Sequence, residues 1–306
     1  MNLKPNNQTN LYGLSDNLNQ FINLYKKEKL PNKILLSGLK GIGKSTLAYH
    51  LINFVLSHNE KYSYNLKQYQ INRDNKNFKL IQNGSNPNFR LVDILPEKKS
   101  IDISQIRELI NSTNKSSLND KPRFVLFDNI EFLNINSVNA LLKTLEEPNK
   151  NIFFILINNQ KKILSTLKSR CLEYKVSLTN SDSFSVLKSL LNDKPSNFIN
   201  NNLINYYFTP GTIYQLIEFS NKYKINLRDI DLRDLLLILI KQYHFKTEPS
   251  IKFIVYDLIE FFLINFSFQD SSHLYSYFLN KINNIKRFNL DEESFFIEFK
   301  SLALNG

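Results

Sequence analysis

Three of the chain's seven glycines fall within six residues, in Ser37-Gly38-Leu39-Lys40-Gly41-Ile42-Gly43-Lys44-Ser45-Thr46. The spacing Gly-x4-Gly-Lys-Ser is that of a loop built to cradle phosphate, and it constrains the fold because such a loop must leave a buried strand and open a helix. Both flanks comply: Lys33-Ile34-Leu35-Leu36-Ser37 is a short apolar run, and Thr46 to Leu56 carries apolar residues at 47, 51, 54 and 55, the spacing of a helix face. Gly38, Gly41 and Gly43 let the backbone wrap closely enough for its N–H groups to face phosphate oxygens, and the helix entered at Lys44, Ser45 and Thr46 presents its positive end to the same anion. Lys44 is expected to reach the outer phosphates, and the Ser45 hydroxyl to hold Mg²⁺. The ligand implied is a nucleoside triphosphate.

With 306 residues the chain is long enough for two or three domains. Its amino terminus is polar and its most apolar tract, 251 to 268, is interrupted by Lys252, Asp257 and Glu260, which predicts an amphipathic core helix, no membrane span and a cytoplasmic protein. A single cysteine, Cys171, excludes an internal disulfide and a multi-cysteine zinc site. The formal net charge of +11 would favour a polyanionic partner. Abundant Lys, Asn, Ile, Phe and Tyr, all with AT-rich codons, give much of that charge a compositional origin as well.

Residues 1–176 alternate helix and strand signals, the signature of a parallel α/β sheet. Strands are predicted at 89–96, 123–128 and 151–158, and helices from Asp102, opened by an Asp-x-x-Gln capping pattern, and from Asn136 or Ser137 to Pro148. The polar stretch 59–88 predicts an extended surface insertion. Beyond a linker at 177–180 the pattern is helical in two units, to about 225 and from 226 to 306. Asp128 closes an apolar strand downstream of the loop, where an aspartate holds Mg²⁺ in P-loop NTPases. Asn158 ends the next apolar strand, where ligands bind in open parallel sheets.

Val138-Asn139-Ala140-Leu141-Leu142-Lys143-Thr144-Leu145-Glu146-Glu147-Pro148, followed by Thr166-Leu167-Lys168-Ser169-Arg170-Cys171, resembles the AAA+ clamp-loader family of bacterial DNA polymerase III. Leu11-Tyr12-Gly13, Leu30-Pro31 and Gly84-Ser85-Asn86-Pro87 extend the likeness over most of residues 10–176, and within the family the chain looks most like the delta-prime subunits. The resemblance implies an AAA+ nucleotide-binding domain (1–176), a helical lid (177–225) and an all-α collar (226–306). It implies ATP and Mg²⁺ as cofactors, with gamma/tau and delta subunits, the sliding clamp and primed DNA as partners. Arg170 corresponds to the family's arginine finger, acting in trans on a neighbour's ATP, and Asn158 to its first sensor position, though neighbouring Asn159 leaves the register open.

The departures bear on hydrolysis. Where active motors of the superfamily carry a water-polarising Glu, this chain has Asn129, which can orient a water but cannot take its proton. Glu131 follows two residues later, where a turn is expected to point it elsewhere. Thr212, in Phe208-Thr209-Pro210-Gly211-Thr212, stands where the family's second sensor arginine is expected. Both changes predict binding with weak intrinsic turnover. A gamma/tau-type motor, and an unrelated P-loop ATPase or kinase, remain the alternatives. Lys98, Lys99, Lys161, Lys162 and Lys168 are the candidate DNA contacts.

Overall fold

The computed structural model describes residues 4–95, 98, 100–113, 119–146, 151–159, 162–204, 208–265, 272–288 and 290–304. Glu147, Pro148, Lys99 and Lys161 lie outside them. The chain divides into two compact units, Met1–Val186 and Leu187–Gly306.

In the first unit the elements run α1 (Ser15–Lys26), β1 (Lys33–Ser37), α2 (Lys44–Leu56), α3 (Lys76–Gln82), β2 (Phe89–Val92), α4 (Ile103–Thr113), β3 (Arg123–Phe127), α5 (Ile135–Glu146), β4 (Ile152–Asn158), α6 (Ser165–Lys168), β5 (Leu172–Lys175) and α7 (Asn180–Leu191). The strands form one sheet in the order β2-β3-β4-β1-β5, every pair parallel. It is the α/β sheet of a P-loop nucleotide-binding fold, with β1 in its interior feeding the glycine loop. β5, not predicted from the sequence, is only four residues long, too short for its Leu-Glu-Tyr-Lys alternation to stand out.

Both faces of the sheet are covered, so its central strands are apolar runs. Successive side chains point to opposite faces. Ile34, Leu36, Phe124, Leu126, Ile155 and Ile157 face a core shared with Leu18 and Phe21 of α1 and with Leu47 and Leu51 of α2. Leu35, Val125, Phe127, Phe154 and Leu156 face a second core with Ile106 of α4 and Val138, Leu141 and Leu145 of α5. The cap of α4 forms as expected, with the Asp102 N–H donating to Gln105 Oε1 at 3.1 Å. For α5 the cap is neither Asn136 nor Ser137 but Asn134, whose Oδ1 accepts from the Ser137 N–H at 2.8 Å.

The stretch from 59 to 88 is not the extended surface insertion its polarity suggests. Asn75 caps α3, its Oδ1 accepting from the Phe78 N–H at 2.9 Å, while its Nδ2 donates to Glu60 and the Tyr62 carbonyl. Buried Asn77 donates to the Leu56 carbonyl and Glu60, and accepts from Asn86. Lys121 completes the cluster by donating to Glu60 and the Leu56 carbonyl. An amide both donates and accepts, so a run of asparagines can satisfy one another inside the protein. Tyr64, Ile71, Phe78 and Ile81 are buried with them.

The second unit contains α8 (Pro210–Tyr223), α9 (Leu232–Lys241), α10 (His244–Thr247), α11 (Pro249–Asn265), α12 (Ser272–Phe288) and α13 (Glu292–Phe299), with no strand among its described residues. Its interior is aromatic: Phe262, Phe278, Phe295, Phe296 and Phe299 are fully buried. α11 sits in that core by Ile254, Val255, Leu258 and Ile259, and among the described residues no helix is long and apolar enough to cross a membrane. Thr209 caps α8 behind Pro210, accepting from the Thr212 N–H, and the Thr212 hydroxyl bonds back to it at 2.9 Å.

In the first unit, buried His50 pairs its Nδ1 with the Tyr64 hydroxyl at 2.7 Å. Burial pushes its pKa down to about 4, against an opposing contribution from the Gln8 backbone. The neutral ring therefore stabilises the fold fully above the unfolded value near pH 6.5, and that stability is lost as pH falls towards 4, by up to about 3 kcal/mol. Urea unfolding between pH 7.5 and 4.5 is expected to show this loss in the wild type and a smaller one in His50→Gln; parallel profiles would contradict it.

Candidate functional site

The glycine loop joins β1 to α2 and is pinned by both neighbouring strands. The Gly38 N–H donates to the Asn158 carbonyl at 3.3 Å, and the Val176 N–H to the Ser37 carbonyl at 2.8 Å. The fit leaves no room for a side chain at Gly38, where a Cβ would meet the Val176 carbonyl oxygen at 2.3 Å. Gly43 turns the chain into α2 at φ 97°, a left-handed conformation that only glycine adopts without strain.

Lys44 begins α2 and is only 3% exposed. Its ammonium donates to the loop's own carbonyls, Gly38 at 2.8 Å and Leu39 at 2.6 Å. Burial lowers its pKa to about 8, and the charges of Asp128 and Glu131 oppose that. Next to it, the Ser45 hydroxyl donates to Asp128 Oδ2 at 2.7 Å, which brings together residues 83 positions apart. Burial raises the Asp128 pKa; the Ser45 bond, the Asn129 N–H and Lys44 work the other way, and the charge of Asp93 adds to the rise. Hydroxyl and carboxylate oxygens are the hard donors Mg²⁺ takes, together with phosphate oxygens of its substrate. A buried cation and this oxygen pair fit a magnesium triphosphate.

Asn158 ends β4 opposite Ser37, its side chain buried. The residue that reaches across to the β3 end is its neighbour: Asn159 Nδ2 donates to Asn129 Oδ1 at 2.9 Å and to Glu131 Oε1 at 3.0 Å. Asn129 Nδ2 in turn donates to Asp93 Oδ1 at 2.9 Å. Asp93 stands just past β2, and Gln105 of α4 braces it by donating to its carbonyl. Burial raises the Asp93 carboxyl, the N–H donors of Asn129 and Ile94 oppose this, Glu131 adds to it and Lys40 of the loop opposes it. Asp93, Glu131 and Asn159 thus join the strand-end cluster, and Glu131 does not point elsewhere. The signal for Asp93 in the sequence is weaker than that for Asp128: Arg90 interrupts the run before it, and the predicted strand 89–96 runs past it.

Arg170 is not part of this group. It lies in the turn before the amino end of β5, whereas the glycine loop leaves the carboxyl end of the neighbouring parallel strand β1. A four-residue strand spans about 13 Å, so Arg170 lies at the amino end of the strands, opposite the end from which its own loop leaves. Its Nε donates to Glu146 Oε1 at 3.0 Å, its Nη2 to the same carboxylate, and its Nη1 to the Thr166 carbonyl at 2.8 Å. Among the candidate DNA contacts, Lys98 pairs with Asp102 at 3.4 Å and Lys168 with Glu173 at 2.9 Å.

The sequence profile described as "DNA polymerase III, delta subunit" matches residues 13–180, more than half of the chain. The chain belongs to this family. The match spans the glycine loop, Asp128, Asn159 and Arg170. A DNA polymerase III subunit delta' of Buchnera aphidicola is 32% identical over 186 residues, covering 59% of this chain and 53% of the relative. The Bacillus subtilis subunit delta' is 31% identical over 152 residues, 49% of this chain and 43% of the relative. A Buchnera aphidicola subunit gamma is 31% identical over 172 residues, 56% and 45%. The matches span about half the length of these relatives. A gamma-subunit-related protein from Thermotoga maritima superposes with TM-score 0.48 at 18% identity, over 92% of this chain and 98% of that one, a likeness too loose to carry an argument.

Because a side chain at Gly38 would collide with backbone rather than with a movable side chain, Gly38→Ala is expected to lower unfolding stability by about 1–3 kcal/mol. It is also expected to abolish ATP binding in calorimetry. Wild-type affinity in that variant would show that the loop relaxes freely.

Proposed function

We propose that this chain works as a delta-prime-type subunit of a DNA polymerase III clamp loader. In this reading it binds ATP with Mg²⁺ through Gly38, Gly41, Gly43, Lys44, Ser45, Thr46 and Asp128 and turns it over slowly alone. Asn158 is its sensor at the β4 end. Residues 177–225 serve as lid and 226–306 as collar, joining it to gamma/tau and delta subunits in an assembly that places a sliding clamp on primed DNA.

The observation that carries the reading is the position of Arg170. It lies at the end of the strands away from its own loop, so its guanidinium serves an ATP bound to a neighbour, where its planar fork can meet two phosphate oxygens. Its contact with Glu146 is partly exposed, and such pairs yield readily to a stronger anion. Gamma-named relatives keep a motor-subunit reading in play. Asn129 and Thr212 weigh against it: Asn129 cannot itself take the water proton, and Thr212 supplies no cation where the second-sensor arginine is expected.

The chain alone is expected to bind Mg·ATP, and Lys44→Ala to lose that binding; a wild type with no affinity for ATP or ADP would sink the nucleotide reading. In the loader reconstituted with its other subunits, Arg170→Ala is expected to assemble normally yet cut DNA-stimulated hydrolysis and clamp loading. The silenced site should lose about 10³-fold or more, the total falling only in part because other subunits keep their own arginines. Arg170→Lys should restore little. Unchanged hydrolysis and loading would return Arg170 to a surface role.

A further inference from the structure

Hydrolysis of a bound triphosphate needs a group that orients the attacking water, and Asn129 at the end of β3 has no basic oxygen to offer it. Asn129 does something else. It takes a left-handed conformation, φ 58° and ψ 50°, and so starts a single tight 3₁₀ turn over Ile130–Phe132. That turn folds Glu131 back towards the strand ends, where Asn159 grips it twice: through its side-chain amide at 3.0 Å and its backbone N–H at 3.4 Å. Each carboxylate oxygen has a second lone pair for a water proton.

Two observations orient this carboxylate towards the phosphate end of the site. Its charge acts on the Lys44 ammonium, ranking next after that of Asp128. Asn159, which holds it, continues β4, and β4 lies directly beside β1 and its loop. Besides Asp128, bonded to Ser45, the cluster holds one further carboxylate, Asp93, but the Asn129 amide and the Ile94 N–H both bond its Oδ1, and the loop cation that acts on it is Lys40.

We propose that Glu131 is the carboxylate that orients the attacking water in this chain's own nucleotide site, and that Asn159 is the positioning residue that holds it there. The inference rests on the nucleotide-binding reading above. In the step, the water oxygen bonds to the γ-phosphorus as the bond from that phosphorus to the bridging oxygen breaks, and the electron pair leaves on ADP. The water proton passes to Glu131 and then to the released phosphate.

Two measurements on the full-length chain test this. A carboxylate facing the γ-phosphate repels ATP but not ADP, so Glu131→Gln, which keeps an acceptor oxygen for the Asn159 side-chain amide while removing the charge, is expected to raise the ATP-to-ADP affinity ratio several-fold in calorimetry. Under single turnover the same variant should hydrolyse about 10²-fold more slowly than wild type. Glu131→Asp should retain the wild-type affinity ratio and recover part of the rate, and Asn159→Ala should lower the rate with ADP affinity unchanged. An affinity ratio that stays at the wild-type value in both Glu131→Gln and Glu131→Ala, or a wild-type rate in Glu131→Gln, would overturn the role of Glu131. Absence of nucleotide binding in the wild type would instead remove the reading beneath it.

Discussion

A positive charge placed almost out of water is the constraint around which the first unit is built. The Lys44 ammonium is 3% exposed, and a buried cation is costly unless oxygen atoms surround it. The glycine loop supplies two carbonyls by closing over the amine, which requires it to pass so near the Val176 carbonyl that only glycine fits at Gly38. The strand ends supply the compensating negative charge, with Asp128 nearest in effect and Glu131 next. The same arrangement suits a polyanion: phosphate oxygens can take over the bonds that Lys44 now gives to its own loop.

The parallel sheet separates two chemistries. All its strands point one way, so every carboxyl end falls on one side and every amino end on the other. Ser37, Asp93, Asp128, Asn158 and Asn159 gather at the carboxyl ends, and Arg170 and Glu146 at the amino ends. In the reading proposed above, that polarity lets one chain hold the nucleotide while the arginine of the next completes its surroundings.

Some of the asparagines are interior. The asparagines of 75–88 form a bonded cluster around Glu60 and Lys121, and Asn129 and Asn159 form another at the strand ends. Hydropathy treats asparagine as a surface residue, yet a side chain that donates and accepts at once can be buried among its like. In a chain so rich in asparagine this makes polarity a poor guide to exposure. It is why the 59–88 stretch, though largely exposed, also contributes buried asparagines beside Tyr64, Ile71, Phe78 and Ile81.

The sequence by itself determined whatever depends on neighbours within a few residues. The strand, loop and helix around Lys44, the apolar runs of β2, β3 and β4, the cap of α4 and the choice of Asp128 follow from local spacing, because backbone geometry and helix periodicity act over that range. The family likeness was legible for the same reason, carried by contiguous motifs between Gly13 and Arg170. Only the tertiary structure decided that Asn159 grips Glu131, that Asp93 bonds Asn129, that β5 joins β1 and that Arg170 faces away from its own loop. These depend on the strand order β2-β3-β4-β1-β5, in which neighbours in space are distant in the chain, and on one left-handed residue, Asn129. Sheet order is chosen by the burial of whole faces rather than by any short segment, so no local pattern records which strand ends will meet.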